Sequence, residues 1–282
     1  MSRVIARSIV PVFAAAMLAT AGAACAQADY KPYVGQQGKD VVWVPTPDEV
    51  VDRMLTMAQT KPDDFVIDLG AGDGKIAIAA AKKFGARSMG VEYNPDMVAF
   101  AQKNAQAAGV SGKAQIVHGD IFATDFTQAT VLTMYLLPSL NMKLRPQILA
   151  LRPGTRVVTH AFNMEDWEPD ESSDVDGRRV YFWLVPANVA VRWALELSGG
   201  GNSEKLSLNF DQKFQKIEGV AYLGTLLAGL REPRLSGFRI SFAYVDARGV
   251  RRDFSGRVTG ATMEGSFRTD GSQEGRWSAA KK

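Results

Sequence analysis

Phe65-Val66-Ile67-Asp68-Leu69-Gly70-Ala71-Gly72-Asp73-Gly74-Lys75 decides the fold of this 282-residue chain. Residues 65–69 form a short apolar run broken only by Asp68, which reads as a buried strand. Glycines at alternate positions then form a turn, and the Ala-rich stretch 74–84 reads as a helix. Without a Cβ, glycine lets the backbone approach a ligand where any other residue would clash. Such a turn also aims backbone N–H groups above a strand end, the usual ligand crevice of a doubly wound sheet.

Working outward, the alternation continues. Strands are expected at 88–92, 114–118, 130–136 and 155–161, and helices at 95–108 and 139–149. Apolar strands separated by helices predict a parallel sheet covered on both faces. Upstream, Thr46-Pro47-Asp48-Glu49 has the form of a capping box opening another helix. Beyond Pro186 the helical period is replaced by apolar–polar alternation with Gly-rich turns, at 189–197, 206–210, 238–245, 253–258 and 262–268. That pattern predicts an antiparallel sandwich or barrel. The fold class expected is therefore α/β: a doubly wound, mostly parallel sheet with a small C-terminal antiparallel β-domain. The expected boundaries are a signal peptide at 1–28, an N-terminal arm at 29–44, the α/β domain at 45–187 and the β-domain at 188–282.

The signal peptide rests on Arg3 and Arg7 ahead of the uncharged apolar stretch 9–24, with small residues at Ala24-Cys25-Ala26 and Ala26-Gln27-Ala28. It implies a periplasmic or secreted protein without a membrane span after cleavage. The single cysteine, Cys25, would leave with the leader, so the mature chain has neither a disulfide nor a thiol nucleophile. Acylation of Cys25 is disfavoured because Gly22 stands where a branched apolar residue is wanted. A formal net charge of +3, with no Lys/Arg-rich run, gives no support for nucleic acid as a partner. Residues 163–176 carry seven acids and no base, which reads as a solvated loop; Trp167 within it could hold a cationic side chain.

The Gly-rich turn excludes two ligand classes by spacing. Leu69 stands where a P-loop needs its first glycine, and Ile76 follows Lys75 where it needs Ser or Thr. In a dinucleotide fingerprint the third glycine would fall at Lys75, one residue later than Gly74. Asp-x-Gly-x-Gly-x-Gly resembles instead motif I of class I methyltransferases, whose cofactor is S-adenosyl-L-methionine. That resemblance assigns Asp68, Gly70, Gly72 and Gly74 to the cofactor. Glu92, ending the second strand, lies where a carboxylate can accept from both ribose hydroxyls. Asp120, ending the third, could accept from the adenine amino group, with Ile121 covering the ring.

Four segments together narrow the resemblance: residues 44–51, the glycine turn, 90–95 and 149–158. They are similar to the family of mitochondrial lysine methyltransferases that modify the adenine nucleotide translocase and the ATP synthase c-subunit, with bacterial relatives. The likeness covers about residues 43–168 and implies a protein lysine as acceptor. It also implies that Thr46, in the Pro-Thr-Pro segment, lies over the cofactor. The signal peptide and the β-rich tail depart from the mitochondrial members; the tail is read as a docking module for a partner or the envelope.

The fourth strand ends in Tyr135-Leu136-Leu137-Pro138, where class I enzymes place acceptor residues. The Asn or Asp that precedes Pro-Pro-Tyr/Phe in enzymes acting on bases and amides is missing. A lysine needs only a neutral, aligned amine, which the Tyr135 ring and the Leu136 and Leu137 carbonyls could hold. His160, ending the fifth strand, points near the crevice and is a candidate proton acceptor, with a structural role weighed beside it. His118 is expected to pack. Two histidines without a matching carboxylate pair offer no metal site. The alternative function is an exported, non-catalytic binding protein that retains the fold; a dinucleotide enzyme is disfavoured by the glycine spacing.

Overall fold

The computed structural model describes residues 30–199, 202–270 and 273–282; the expected signal peptide, with Cys25, lies outside them. Residues 31–282 form one compact unit. Among the described residues there are two sheets.

In the first sheet, β1 (Phe65–Leu69), β2 (Arg87–Glu92), β3 (Ala114–His118), β4 (Val131–Met134) and β5 (Arg156–His160) run parallel. A hairpin of β6 (Glu171–Val175) and β7 (Arg178–Leu184) extends it, giving the order β3-β2-β1-β4-β5-β7-β6. β7 lies antiparallel to β5, with Val180 opposite His160. The strand order reverses between β1 and β4, which opens a crevice above their carboxyl ends.

Strand alternation sends successive side chains to opposite faces. Val66, Val131, Val158 and Val180 pack on one face against α1 (Asp48–Met57) and α2 (Lys75–Phe84), through Met54, Leu55, Ile76 and Ala80. On the other face Ile67, Leu132, Val157 and Trp183 meet Leu144 and Ile148 of α4 (Pro138–Leu149). α3 (Pro95–Ala107) packs through Val98 and Ala101 on Ala77 and Ile116. Asn94 caps α3, its side chain accepting from the N–H groups of Asp96 and Met97 at 2.9 and 3.2 Å.

Two sequence expectations are corrected here. α1 has no capping box: Pro47 is the N-cap, its carbonyl accepts from Val50 and Val51, and Thr46 Oγ1 lies 3.3 Å from His160 Nδ1. Thr46 is buried, so its hydroxyl is committed to a partner across the crevice. Nor is 163–176 a solvated loop. It contains β6, and four of its seven exposed acids are paired: Asp166 with Arg145 and Lys213, Glu168 with Lys216, Glu171 with Arg53 and Asp174 with Arg179. Trp167 is fully buried, stacked on Phe214 with ring centres 5.8 Å apart, so it is unavailable to a cationic side chain.

The second sheet is an antiparallel meander. β8 (Arg192–Gly199), β9 (Asn202–Lys213), β10 (Lys216–Leu223) and β11 (Leu226–Gly229) form one wing. The other is β12 (Arg231–Ser236), β13 (Arg239–Val245), β14 (Arg251–Thr259), β15 (Thr262–Thr269) and β16 (Gln273–Lys281). β16 pairs with β8, and the free edges curl until β10 touches β12, so the sheet is nearly a barrel. Its interior is aromatic: Phe242, Phe254 and Trp277 pack within 6.0 Å of one another. Such long-range closure is visible only in three dimensions; the sequence pattern missed β10, β11, β12 and β16, whose apolar–polar alternation is broken by charges and glycines.

The two sheets are joined by specific contacts. Trp167 Nε1 donates to Gln215 Oε1 at 3.0 Å, and Gln215 Nε2 to the Glu168 carbonyl at 2.7 Å. The Ala187 N–H donates to the Gly237 carbonyl at 2.8 Å. Phe238 lies so close to Gly154 that a Cβ there would meet the ring at 2.8 Å.

Candidate functional site

The glycine turn adopts the shape its composition allows. Gly70, Gly72 and Gly74 have φ of 80°, 53° and 79°, values that side chains rarely tolerate. The N–H groups of Gly70 and Ala71 both donate to the Val91 carbonyl at 2.9 Å, which ties the turn to the end of β2. Glu92 is then fixed from two sides: Oε2 accepts from the Gly72 N–H and Oε1 from the Asn94 N–H, each at 2.9 Å. This holds the carboxylate at the rim of the crevice, in position for a diol.

Asp68 is buried and accepts from the Thr133 hydroxyl at 2.7 Å. Burial pushes its carboxyl up to about 7, with Asp73 and Glu92 adding negative potential. Burial raises Asp73 as well. Three acids around one turn make a site that favours a cationic ligand, as a sulfonium with an α-ammonium group would be.

Above the turn lies a cleft of about 980 Å³, part of it open to solvent. Thr46, Asp68, Gly70, Gly72, Glu92, Asp120, Ile121, Tyr135 and Leu136 all line it. Gly74 is brought near but not into it: a Cβ there would lie 3.1 Å from Ala101 and from Ile116, so its role is close packing under the turn. Asp120 is engaged by the chain itself. Oδ1 accepts from the Phe122 N–H at 2.9 Å and Oδ2 from Lys39 at 2.7 Å, which holds the carboxyl below its ordinary range.

Lys39 belongs to a feature that sequence reasoning left as a plain arm. Residues 33–43 form a hairpin, with Gln37 bridged to Val42 and the Trp43 N–H donating to the Gln36 carbonyl at 2.9 Å. The hairpin covers the cleft, and Trp43 enters it: a Cβ on Gly72 would stand 2.5 Å from Trp43 Nε1. Lys39 lies 4.8 Å from the centre of the Tyr93 ring. Trp43, beside the Pro-Thr-Pro segment, was the available signal.

A second cleft adjoins the first and shares Val44, Pro45 and Tyr135 with it. His160 lies behind Tyr135, ring centres 3.9 Å apart, with Phe162 beyond at 6.2 Å. Burial, then the charge of Arg178, pushes the imidazole down to about 4. It is neutral at pH 7 and a weak base, so the arrangement supports His160 as the group that positions Tyr135 and Thr46 rather than as proton acceptor. Leu137 is corrected too: its carbonyl accepts from Leu140 and Asn141 at 3.0 and 3.1 Å and is consumed in starting α4. The Leu136 carbonyl, in contrast, takes no hydrogen bond among the described residues. His118 is exposed, 6.0 Å from Tyr93, rather than packed in the core.

This geometry has known relatives. The family model of the ANTKMT methyltransferase domain matches residues 68–171. A protein-lysine N-methyltransferase of Saccharolobus islandicus (strain REY15A) is 44% identical over 151 residues, 51% of this chain and 94% of that protein. The chain belongs to that methyltransferase family. The ATP synthase c-subunit lysine N-methyltransferase of Mus musculus is 32% identical over 132 residues, 46% of this chain. The chain spans about half of that relative, 53% of its length. Among solved structures, an RNA methyltransferase from Salinibacter ruber in complex with S-adenosyl-L-homocysteine is 50% identical, with a TM-score of 0.51 over 52% of this chain and 96% of that one.

The cofactor of this methyltransferase is S-adenosyl-L-methionine, and the residues present fit it. The Gly70–Gly72 cradle, which a Cβ would fill, the doubly anchored Glu92 and the buried acid Asp68 match a ligand with a ribose and a cationic end.

Proposed function

We propose that the protein transfers a methyl group from S-adenosyl-L-methionine to the ε-amine of a lysine in a protein substrate. The observation that carries this reading is Tyr135, the aromatic wall common to the two clefts, followed by the unpaired Leu136 carbonyl. The cofactor, when bound, would supply an electrophilic methyl on a positively charged sulfur; a neutral amine takes it by a single displacement, the methyl–sulfur bond breaking to release S-adenosylhomocysteine and the methylated ammonium giving its proton to solvent. Tyr135, braced by His160 and Phe162, provides a face along which the amine is aligned. The Leu136 carbonyl accepts from an amine N–H and leaves the nitrogen lone pair directed at the first cleft. Trp43, Val44 and Pro45 exclude water from the junction.

The relatives' names support lysine as acceptor, and the missing Asn or Asp ahead of Leu137-Pro138 argues against a base or amide. The Salinibacter ruber neighbour makes RNA the competing acceptor. Incubating the purified chain with S-adenosyl-L-methionine and either a lysine-containing protein extract or total RNA, with mass spectrometry of both, decides between them. Methyllysine without modified nucleosides is expected; modified nucleosides alone would refute the lysine reading.

Export is proposed from residues 1–28 alone, and docking to a partner or the envelope is proposed for the β-rich tail. No helix among the described residues is long and apolar enough to cross a membrane. N-terminal sequencing of the protein from fractionated cells tests export; a periplasmic or secreted chain starting at Gln27 or Asp29 is expected.

A further inference from the structure

We propose that the β6–β7 hairpin selects the methyl acceptor: Arg178, with Arg179 beside it, binds a carboxylate that the substrate chain carries next to the target lysine. The proposal rests on the lysine reading above and names the chemistry that reading leaves open.

The second cleft is lined by Tyr135, His160, Arg178 and Arg179, and no acid among the described residues lines it. Four other cations around the crevice are matched. Lys39 pairs with Asp120, Lys75 with Asp48, Arg53 with Glu171 and Arg145 with Asp166. Arg178 differs: it makes no ion pair among the described residues, and its side chain reaches only the Asp176 carbonyl, at 3.4 Å. Arg179 approaches Asp174 across the hairpin at 3.5 Å.

The guanidinium is presented on a fixed frame. Asp176 and Gly177 have φ of 49° and 79°, as a tight two-residue hairpin turn requires, and the Gly177 N–H donates to Asp174 Oδ1 at 2.9 Å. The Arg179 carbonyl accepts from the Ala161 N–H at 2.7 Å, which binds the turn to the end of β5. On the far strand Arg53 donates to Ser173 at 2.9 Å and to Glu171 at 3.1 Å.

A cleft bearing two guanidiniums and no acid repels a lysine ammonium on approach. The unfavourable potential disappears when the substrate brings its own anion, which Arg178 can bind in two parallel hydrogen bonds. A nucleic acid backbone would require a track of cations. Here the rest of the lining is largely apolar instead, with Val44, Pro45, Pro47, Tyr135 and Ala161. The matched family region ends at residue 171, ahead of the turn and Arg178.

The test uses the full chain with synthetic single-lysine peptides that carry Glu or Gln at each neighbouring position. Binding is read by calorimetry with S-adenosylhomocysteine present, and transfer by mass spectrometry. At the best position Glu is expected to improve binding and transfer about tenfold over Gln, as for one charge-assisted bidentate contact. Arg178→Gln should abolish that preference without changing S-adenosylhomocysteine affinity, and Arg178→Glu should reverse it, favouring Gln peptides over Glu and an Arg peptide, added at the best position, over both. Equal use of Glu and Gln peptides by the unaltered protein, or a preference that survives Arg178→Gln, overturns the proposal and leaves lysine transfer standing. Arg178-dependent binding of Glu peptides that are never methylated would uphold the carboxylate site and sink the lysine reading. Arg178-dependent binding of an RNA oligonucleotide, with no peptide bound, overturns both.

Discussion

The ammonium of Lys39 lies 2.7 Å from Asp120 Oδ2, so the tip of the 33–43 hairpin is tied across the cofactor cleft to the residue that follows β3 by two positions. Both side chains are about one-third exposed, at 36% and 31%. An ion pair of that kind is weak and screened by salt, which suits a cover that must open each time the cofactor exchanges. Lys39→Ala is expected to speed S-adenosylhomocysteine release by about two- to fivefold, measured by stopped-flow displacement. Raising salt should accelerate release from the unaltered protein and not from the variant. A release rate indifferent to both changes would show that the hairpin tip does not gate the cleft.

Gly72 lies under Trp43 at a positive φ. Gly72→Ala places a methyl group 2.5 Å from the indole nitrogen and adds left-handed strain of about 1 kcal/mol. The chain should stay folded, by circular dichroism, while S-adenosylhomocysteine affinity falls at least about tenfold, since Trp43 must leave the cleft. Undiminished affinity in calorimetry would count against the glycine cradle as the cofactor site.

Asp68 predicts a pH signature. Its folded carboxyl is raised from 3.8 to about 7. Below pH 4 folded and unfolded chains both hold the proton, and no penalty exists. Between about 4 and 7 only the folded chain keeps it, so the unfolded chain binds fewer protons and stability falls as pH rises. Above 7 the loss is complete, of order 4 kcal/mol. His160, lowered to about 4, acts oppositely: stability lost to its protonation in the unfolded chain is recovered as pH rises from 4 to 6.5. Asp68→Asn leaves the His160 effect in place and removes only the first. The variant's melting temperature should exceed that of the unaltered protein at pH 8 and match it near pH 4; an equal gain at both pH values would rule out the raised carboxyl. A cationic cofactor should also drive the proton off Asp68. Binding near pH 7 is then expected to release protons, seen as a heat that depends on buffer ionisation enthalpy.

Phe214 covers Trp167 and lies under the Arg145 guanidinium, 5.3 Å from ring centre to Cζ. Phe214→Ala should cost about 2 kcal/mol, less than a fully buried phenylalanine because the ring is partly exposed. Tryptophan emission should shift to the red as Trp167 meets water. Emission unchanged from that of the unaltered chain would place the join between the sheets elsewhere.

Much of the site was legible because its elements are local. A strand, a Gly-rich turn and a helix are contiguous in Phe65-to-Phe84, and the positive φ of Gly70 and Gly72 is demanded by that turn wherever the chain lies. Glu92 was legible because a strand end in a parallel sheet faces the ligand crevice. The packing at Gly74 was not legible, since a glycine needed for a ligand and one needed for packing look alike until Ala101 and Ile116 are seen beneath it. Leu137 was misread because whether a carbonyl is free depends on where α4 starts.

By itself the sequence determined the α/β class, the order of strands and helices through β5, the cofactor turn and the β-rich character of the tail. All of these follow from periodicity and backbone chemistry within a few residues. Only the tertiary structure decided that Asp166 and Glu168 pair with α4 and the second sheet, that Thr46 meets His160, that the arm covers the cleft with Trp43, and that Arg178 and Tyr135 line one cleft. These are pairings between segments up to 114 positions apart, as for Thr46 and His160. Their partners are chosen by burial and charge complementarity in space, and no local pattern encodes them.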